Sequence, residues 1–473
     1  MENKNITNTA KALLSLWNIG LFCTVWFLYY NKYTFDKYWL LGGIVSCIVF
    51  IIIYLAFCSL YKAFRIASTS IPDTVFGQII SFGIADLILY SESCLIYNRY
   101  VDVLPGAGVA FLQILGTEII VLLTKRYMMK HFVPKNTLLL YGGRADKQEA
   151  QQFAQRLLVK YKHLFKITNI EYDRISESKL NELIKQNDVV MLYEVSEERR
   201  GHFMGLCTEN KKNLYFTPRI EDILCQGASA KSLLDTPLMK YEYKYDSRGG
   251  YLGKRLFDIV VSLLFMIITS PLMLIAALAI KLEDHGPVFF KQDRCTKDGE
   301  VFGILKFRSM IVDAEKDGVM PCTSGDPRIT KVGKIIRASR IDELPQLFNV
   351  LKGDMSIVGP RPERVEHVQQ YMEEMPEFAY RMRVKGGLTG YAQIYGKYNT
   401  SAYDKLRLDM MYIENQSIFL DLKILMLTFK TIFKAESTEG FTEDKSMEMN
   451  WHAKESVRLV DEMALRKRDQ MIG

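Results

Sequence analysis

The sequence predicts a membrane protein of mixed class, α plus α/β. It comprises a four-helix transmembrane bundle, a small parallel-sheet α/β domain and a mostly helical domain with a re-entrant membrane hairpin. Three observations predict it. Apolar runs crowd the first 130 of 473 residues; strand-like and helix-like pieces alternate from about 136 to 245; and a further apolar run at 254–282 is interrupted by Ser270-Pro271. The implied domains are 1–130, 134–248 and 250–434, followed by a highly charged extension at 435–473.

Composition fits this division. Apolar residues make up 49% and charged residues 24%, a globular average that hides the segregation along the chain. The net charge of +7 lies mostly beside apolar runs, which suits an anionic membrane surface and not nucleic acid. None of the eight Cys has CxxC or metal-finger spacing, so they read as reduced packing residues. The first apolar run lacks a small-residue cleavage site and is followed by three more, which argues against a signal peptide.

The four membrane segments are expected at about 12–30, 39–61, 75–97 and 101–124. Asp86, Glu92 and Glu118 within them are expected to face other helices rather than lipid. Lys4, Lys11, Lys62, Arg65 and the cluster Lys125, Arg126, Lys130, Lys135 fall on one side, which the positive-inside rule makes cytoplasmic. Both the N-terminus and everything after residue 125 are therefore expected in the cytoplasm. In the next segment NTLLLYGG, FKITNIEY, DVVMLYEV and NLYFTPRI read as strands, with helices at 147–163, 176–187 and 196–209. Gly142-Gly143-Arg144 follows the first strand, but G-x-G-x-x-G is absent, so a structural or regulatory module is preferred to a nucleotide site.

The apolar stretch 259–280 is long enough to cross a bilayer. Pro271 at its middle removes a helical hydrogen bond and disfavours helix at Ser270. Lys254 and Arg255 before it, and Lys281, Lys291 and Arg294 after it, would place basic residues outside if the run spanned. Entry, a bend at Ser270-Pro271 and return keep both flanks inside, with Ser270 and Thr269 available to satisfy freed carbonyls.

Chemistry concentrates after this hairpin. Lys306 and Arg308 would share one strand face and could grip phosphate. Within RIDELPQLF, Pro345 suits the first turn of a helix, which places Asp342 and Glu343 at its start. A helix start favours anions, an ionised Asp can attack phosphorus, and two adjacent carboxylates can hold Mg²⁺. Arg337 and Arg340 supply compensating charge. Acids before Pro are also an ordinary helix cap. The following Pro360-Arg361-Pro362, a stiff mount for a guanidinium, makes a convergent phosphate site the better reading. The glycines of KGGLTGYAQIYG read as close-approach turns near a ligand, and 421–434 as either a membrane-surface or a core helix.

Residues 250–434 resemble the catalytic domain of bacterial monotopic polyprenyl-phosphate phosphoglycosyl transferases. The resemblance runs through KR-x-x-D at 254–258, the Ser-Pro-broken hairpin, KFRSM, DPRIT, RIDELPQLFNVLKGDMSIVGPRP and GLTGYAQ. The four helices and the α/β module look like the large-membered branch of that family. It implies that Asp342 attacks the β-phosphate of a UDP-sugar, glucose or galactose favoured, to release UMP. Undecaprenyl phosphate would then accept the phosphosugar, starting exopolysaccharide or capsule assembly. Glu343 would assist and, with Asp342, hold Mg²⁺; Lys306, Arg308, Arg337 and the Pro360-Arg361-Pro362 loop would hold nucleotide and phosphates. The implied location is the bacterial cytoplasmic membrane, multi-pass, with the α/β and catalytic domains inside; a homodimer is left open. The alternatives are an inactive membrane scaffold of polysaccharide assembly and a nucleotide-dependent oxidoreductase built on 136–245.

Overall fold

A computed structural model describes residues 4–30, 39–67, 69, 71–131, 133–143, 145–233, 235–242, 248–312, 314, 326–396 and 400–432. The expected charged extension at 435–473 lies outside the described residues. The chain divides into two compact units, 1–217 and 218–473.

The first unit begins with α1 (Lys4–Leu28), α2 (Trp39–Leu60), α3 (Ile71–Ile96) and α4 (Leu104–His131). Each packs on two of the others. All four are long and apolar enough to cross a membrane, as is one later helix. Their interior carries a polar seam: Tyr54 Oη donates to Gln78 Oε1 (2.7 Å), Gln78 Nε2 to Ala63 O, and Asn18 Nδ2 to Leu14 O, Tyr54 Oη and Thr117 Oγ1. Asp86 and Glu92 are half-buried, but Glu118 is exposed, against expectation. The adjacent Thr117 takes the interior position opposite Asn18, and one helical step turns Glu118 outward.

The α/β module follows: β1 (Lys135–Tyr141), α5 (Lys147–Tyr161), β2 (Phe165–Tyr172), α6 (Glu177–Gln186), β3 (Val189–Tyr193), α7 (Glu197–Glu209) and β4 (Asn213–Phe216). The strands form one sheet in the order β2-β1-β3-β4. Every pair is parallel, as strand–helix alternation requires. Leu138, Leu139 and Leu140 of β1 are fully buried because helices cover both faces of a central strand.

The second unit starts at Pro218. Besides α8 (Ile220–Gln226), it takes the hairpin β5 (Ser229–Leu233) and β6 (Thr236–Lys240). Ile220 and Ile223 enter the main core of this unit, and Tyr241 donates to Glu414 (2.9 Å). Then come α9 (Arg248–Asp284), the antiparallel ribbon β7 (Phe289–Cys295) and β8 (Val301–Phe307), α10 (Lys331–Ala338), α11 (Gln346–Lys352) and β9 (Ser356–Val358). The unit closes with α12 (Val365–Glu374), β10 (Gly387–Thr389), α13 (Tyr391–Tyr395), α14 (Ala402–Glu414) and α15 (Ile418–Ile432). Asp421 and Ile424 of α15 are fully buried, which decides for a core role at that part of 421–434.

Helical structure continues through Pro271 in α9. Thr269 Oγ1 donates to Phe265 O and Ser270 Oγ to Ile267 O. Near its start, Lys254 binds Val358 O (3.2 Å) and Asp421 (2.8 Å), and Arg255 binds Val350 O and Leu351 O at the C-terminal end of α11. At its far end Asp284 binds Arg308 and Glu283 accepts from Lys331 N (2.8 Å). Between these anchors a row including Leu263, Ile267, Leu274 and Leu278 is exposed.

Candidate functional site

Four elements converge on one cluster of charge. A 3₁₀ turn, Ile341–Glu343, carries Asp342 and Glu343; β8 supplies Lys306, β7 supplies Arg294, and the loop after β9 supplies Arg361. Arg340 enters the turn in the left-handed region (φ 58°), which sets the two acids apart from α10. Pro345 sits at the N-cap of α11, so the acids stand just before a helix start as expected.

The two carboxylates have different surroundings. Glu343 accepts from Arg361 Nη2 (2.6 Å), and Lys306 (3.6 Å) and Arg340 (3.8 Å) lie close. Asp342 Oδ1 is buried and has no hydrogen-bond partner among the described residues. Burial, then the neighbouring Glu343 charge, push the Asp342 carboxyl up to about 6, against Lys306, Arg337 and Arg340. Burial also pushes Glu343 up, but Arg361, Lys306 and Arg340 outweigh it and hold that carboxyl well below its ordinary value. The pair thus comprises a permanently ionised acid and one poised to ionise near neutrality.

The loop Pro360-Arg361-Pro362 is fixed at every carbonyl. Gly387 N donates to Pro360 O (2.8 Å), Arg381 Nη2 to Arg361 O (2.8 Å) and Arg294 Nη1 to Pro362 O (3.3 Å). Arg381 is itself held by Asp409 through Nε (3.0 Å) and Nη2 (2.8 Å). The glycines expected near a ligand serve this loop. A side chain at Gly387 or Gly390 would strike the backbone of Gly359, and one at Gly386 would strike Pro362.

The structure brings together Asp342, Glu343, Lys306 and Arg361, with Arg337 half-buried on the last turn of α10 and contributing positive potential at Asp342. It does not bring Arg308 there. Arg308 lies one residue past β8, buried, with both terminal nitrogens on Asp284 and Nε donating to Pro287 O (2.7 Å). Its donors are committed to anchoring α9, so the expected phosphate role fails. Sequence reasoning misses Arg294 and Arg381 at this loop; in the sequence Arg294 reads only as flanking charge, and nothing in the local pattern marks Arg381.

The expected two-carboxylate metal pair fits in part. Asp342 offers an unpartnered oxygen, whereas Glu343 already meets three cations. Among the described residues no group of three or more His, Cys, Asp or Glu gathers to hold a metal ion.

Residues 250–435 match the family model described as bacterial sugar transferase. The chain is 47% identical over 204 residues to a UDP-N-acetylgalactosamine-undecaprenyl-phosphate N-acetylgalactosaminephosphotransferase of Aeromonas hydrophila, covering 42% of this chain and 46% of that one. It is 43% identical over 215 residues to a UDP-glucose:undecaprenyl-phosphate glucose-1-phosphate transferase of Klebsiella pneumoniae, covering 44% of each. A protein of the same description from Caulobacter vibrioides is 43% identical over 191 residues, covering 39% of this chain and 72% of that one. The matched part spans less than half the length of the first two relatives.

Proposed function

We propose, from the premise that the chain belongs to the bacterial sugar transferase family, that it moves a sugar-1-phosphate from a UDP-sugar to undecaprenyl phosphate through a covalent aspartyl intermediate. The observation that carries this reading is the buried, unpartnered Asp342 oxygen beside a Glu343 held ionised by Arg361. With its carboxyl near 6, Asp342 is largely ionised at neutral pH and remains basic enough to attack phosphorus.

In the first step an Asp342 oxygen bonds to the β-phosphorus of the donor. The bond from that phosphorus to the bridging oxygen breaks, and UMP leaves with the electron pair. In the second step a phosphate oxygen of the polyprenyl acceptor attacks the same phosphorus and frees the Asp342 carboxylate, giving a diphosphate-linked lipid sugar. Lys306, Arg337, Arg340 and Arg361 supply positive charge around the transferring group. Asp342 is the carboxylate placed to hold Mg²⁺, which would supply positive charge against the donor diphosphate.

The setting we propose is the bacterial cytoplasmic membrane, with this chemistry on the cytoplasmic face at the start of exopolysaccharide or capsule assembly. Re-entry of α9 is supported by its two polar ends. Lys254 and Asp284 are both tied to the same compact unit, whereas a spanning helix would part them by a hydrocarbon core of about 30 Å. The relatives' names favour a UDP-hexose or UDP-N-acetylhexosamine donor; glucose or galactose remains our choice.

The test is UMP release by detergent-purified protein over a panel of UDP-sugars with Mg²⁺ and undecaprenyl phosphate, beside Asp342→Asn. Release with one donor, a phosphosugar adduct on the Asp342 peptide by mass spectrometry, and loss of both in the variant are expected. Undiminished release in a folded Asp342→Asn protein would rule out the covalent route.

A further inference from the structure

The α/β module has an edge that the proposed transfer reaction does not use. Its strand order, β2-β1-β3-β4, reverses direction between β1 and β3. In open parallel sheets that reversal opens a crevice at the C-terminal strand ends. Three connections meet at that edge here: Gly142-Gly143 after β1, Asp173 after β2, and Glu194 after β3.

Asp173 is the informative residue. It is 3% exposed, and its Oδ1 has no hydrogen-bond partner among the described residues. Its carboxylate lies over Gly142, where any side chain would collide with it. Gly143 has φ 63° and also admits no side chain, because a Cβ would strike Glu194 O. Arg199, in the first turn of α7, reaches from the β3 side to donate to Asp173 O (2.6 Å), and its Nε is buried without a partner. Burial pushes the Asp173 carboxyl up, against Arg199 and Arg174. Buried unpaired acceptors and donors are uncommon in folded proteins, and here one of each sits on two residues joined by a hydrogen bond.

We propose that this edge binds a nucleotide, with Asp173 accepting from the ribose hydroxyls and Arg199 Nε donating to its phosphate. A carboxylate at the end of the second strand is suited to a sugar diol, because its two oxygens can accept from both hydroxyls. The phosphate goes to Arg199 and not to the start of α5. That helix start is already capped by Asp146, whose Oδ1 accepts from Glu149 N (2.7 Å), and Glu149 adds a second negative charge. This explains how the module could take a nucleotide without the glycine-rich fingerprint, which exists to seat a pyrophosphate on that helix.

The ribose-phosphate chemistry is shared by adenine nucleotides and by the uridine nucleotides of the proposed reaction, and the test separates them. ATP, dATP and UMP would be titrated by calorimetry into full-length protein in nanodiscs. The proteins are wild type, Asp173→Asn and, as a background without the aspartate at the other candidate site, Asp342→Asn. The expected result is binding of ATP or UMP that weakens at least about tenfold in Asp173→Asn and persists in Asp342→Asn; for ATP, dATP should bind more weakly. ATP binding would mark a sensor of a separate nucleotide, and UMP binding at this edge a sensor of the released product. Should Asp173→Asn not fold, judged by its melting curve, Arg199→Gln decides in its place. Absence of binding by both ATP and UMP at millimolar concentration, or binding indifferent to the folded variant, overturns the proposal.

Discussion

Asp284 and Asp342 both stand near arginines beside β8, yet their carboxyls are shifted in opposite directions. Asp284 receives the Arg308 guanidinium and the Gly286 N–H, and these hold its carboxyl down to about 2. Asp342 is buried next to a second carboxylate and is pushed up to about 6, with one oxygen unpartnered. Beside Asp342 the Arg361 guanidinium is taken by Glu343. The difference separates a carboxylate with a dedicated partner from the one we propose as the nucleophile. A dedicated partner lowers a carboxylate's free energy and fixes it in place; a carboxylate left over in the same charged neighbourhood keeps its basicity.

If that distinction holds, the largest effect falls on Asp342. Asp342→Asn keeps shape and burial but removes the proposed nucleophile, and UMP release should drop by about 10³-fold or more. Glu343→Gln and Arg361→Lys come next, each expected to cost roughly 10²-fold in kcat/KM through loss of a charge-assisted pair at the site. Retention of full activity in either would mean that the pairing of Glu343 with Arg361 is incidental.

The pH dependence sharpens the same contrast with a smaller effect. In the proposed first step Asp342 must be ionised, so kcat/KM should fall about tenfold per unit as pH drops below about 6, and level off above it. In Glu343→Gln a like charge is removed, and Lys306, Arg340 and Arg361 turn toward the remaining acid. Both changes favour the ionised form, so the residual activity should hold to lower pH than in wild type. An acid limb that moves to higher pH instead would place the titrating group elsewhere.

What could be read from the sequence follows the same physics. Helix periodicity, strand–helix alternation and the Asp342-Glu343-Pro345 order are local, and local pattern was enough to place α1 to α4, the parallel sheet and the acids before α11. Partner choice is not local. Lys306 and Arg308 are two residues apart, and only the fold shows that one faces Glu343 while the other closes on Asp284, 24 residues earlier. Arg381 was invisible for the same reason: its importance comes from Asp409 and from the carbonyl of Arg361, neither of which its sequence neighbours reveal. The glycines at 386, 387 and 390 are close approaches, and what they approach is Gly359 and Pro362 of the loop after β9.

The smallest expected change in catalysis tests the structural half of the comparison. Arg308→Met keeps much of the apolar stem and removes the partner of Asp284, which is partly exposed and can be rehydrated in place. Asp284 should then titrate nearer its ordinary range, because the first cause of its low value is gone. The far end of α9 would retain Glu283 on Lys331 N and the apolar contacts of Ala276 and Ile280 with Phe307 and Ile336, so the helix should stay docked. Loss of the guanidinium also leaves Pro287 O without its donor, and melting should come a few degrees earlier. Turnover should change by less than about threefold, since the Arg308 hydrogen bonds go to Asp284 and Pro287 and, among the described residues, not to those around Asp342. A loss of turnover as large as that of Arg361→Lys, in protein with an unchanged melting curve, would return Arg308 to the phosphate site and erase the contrast between the two aspartates.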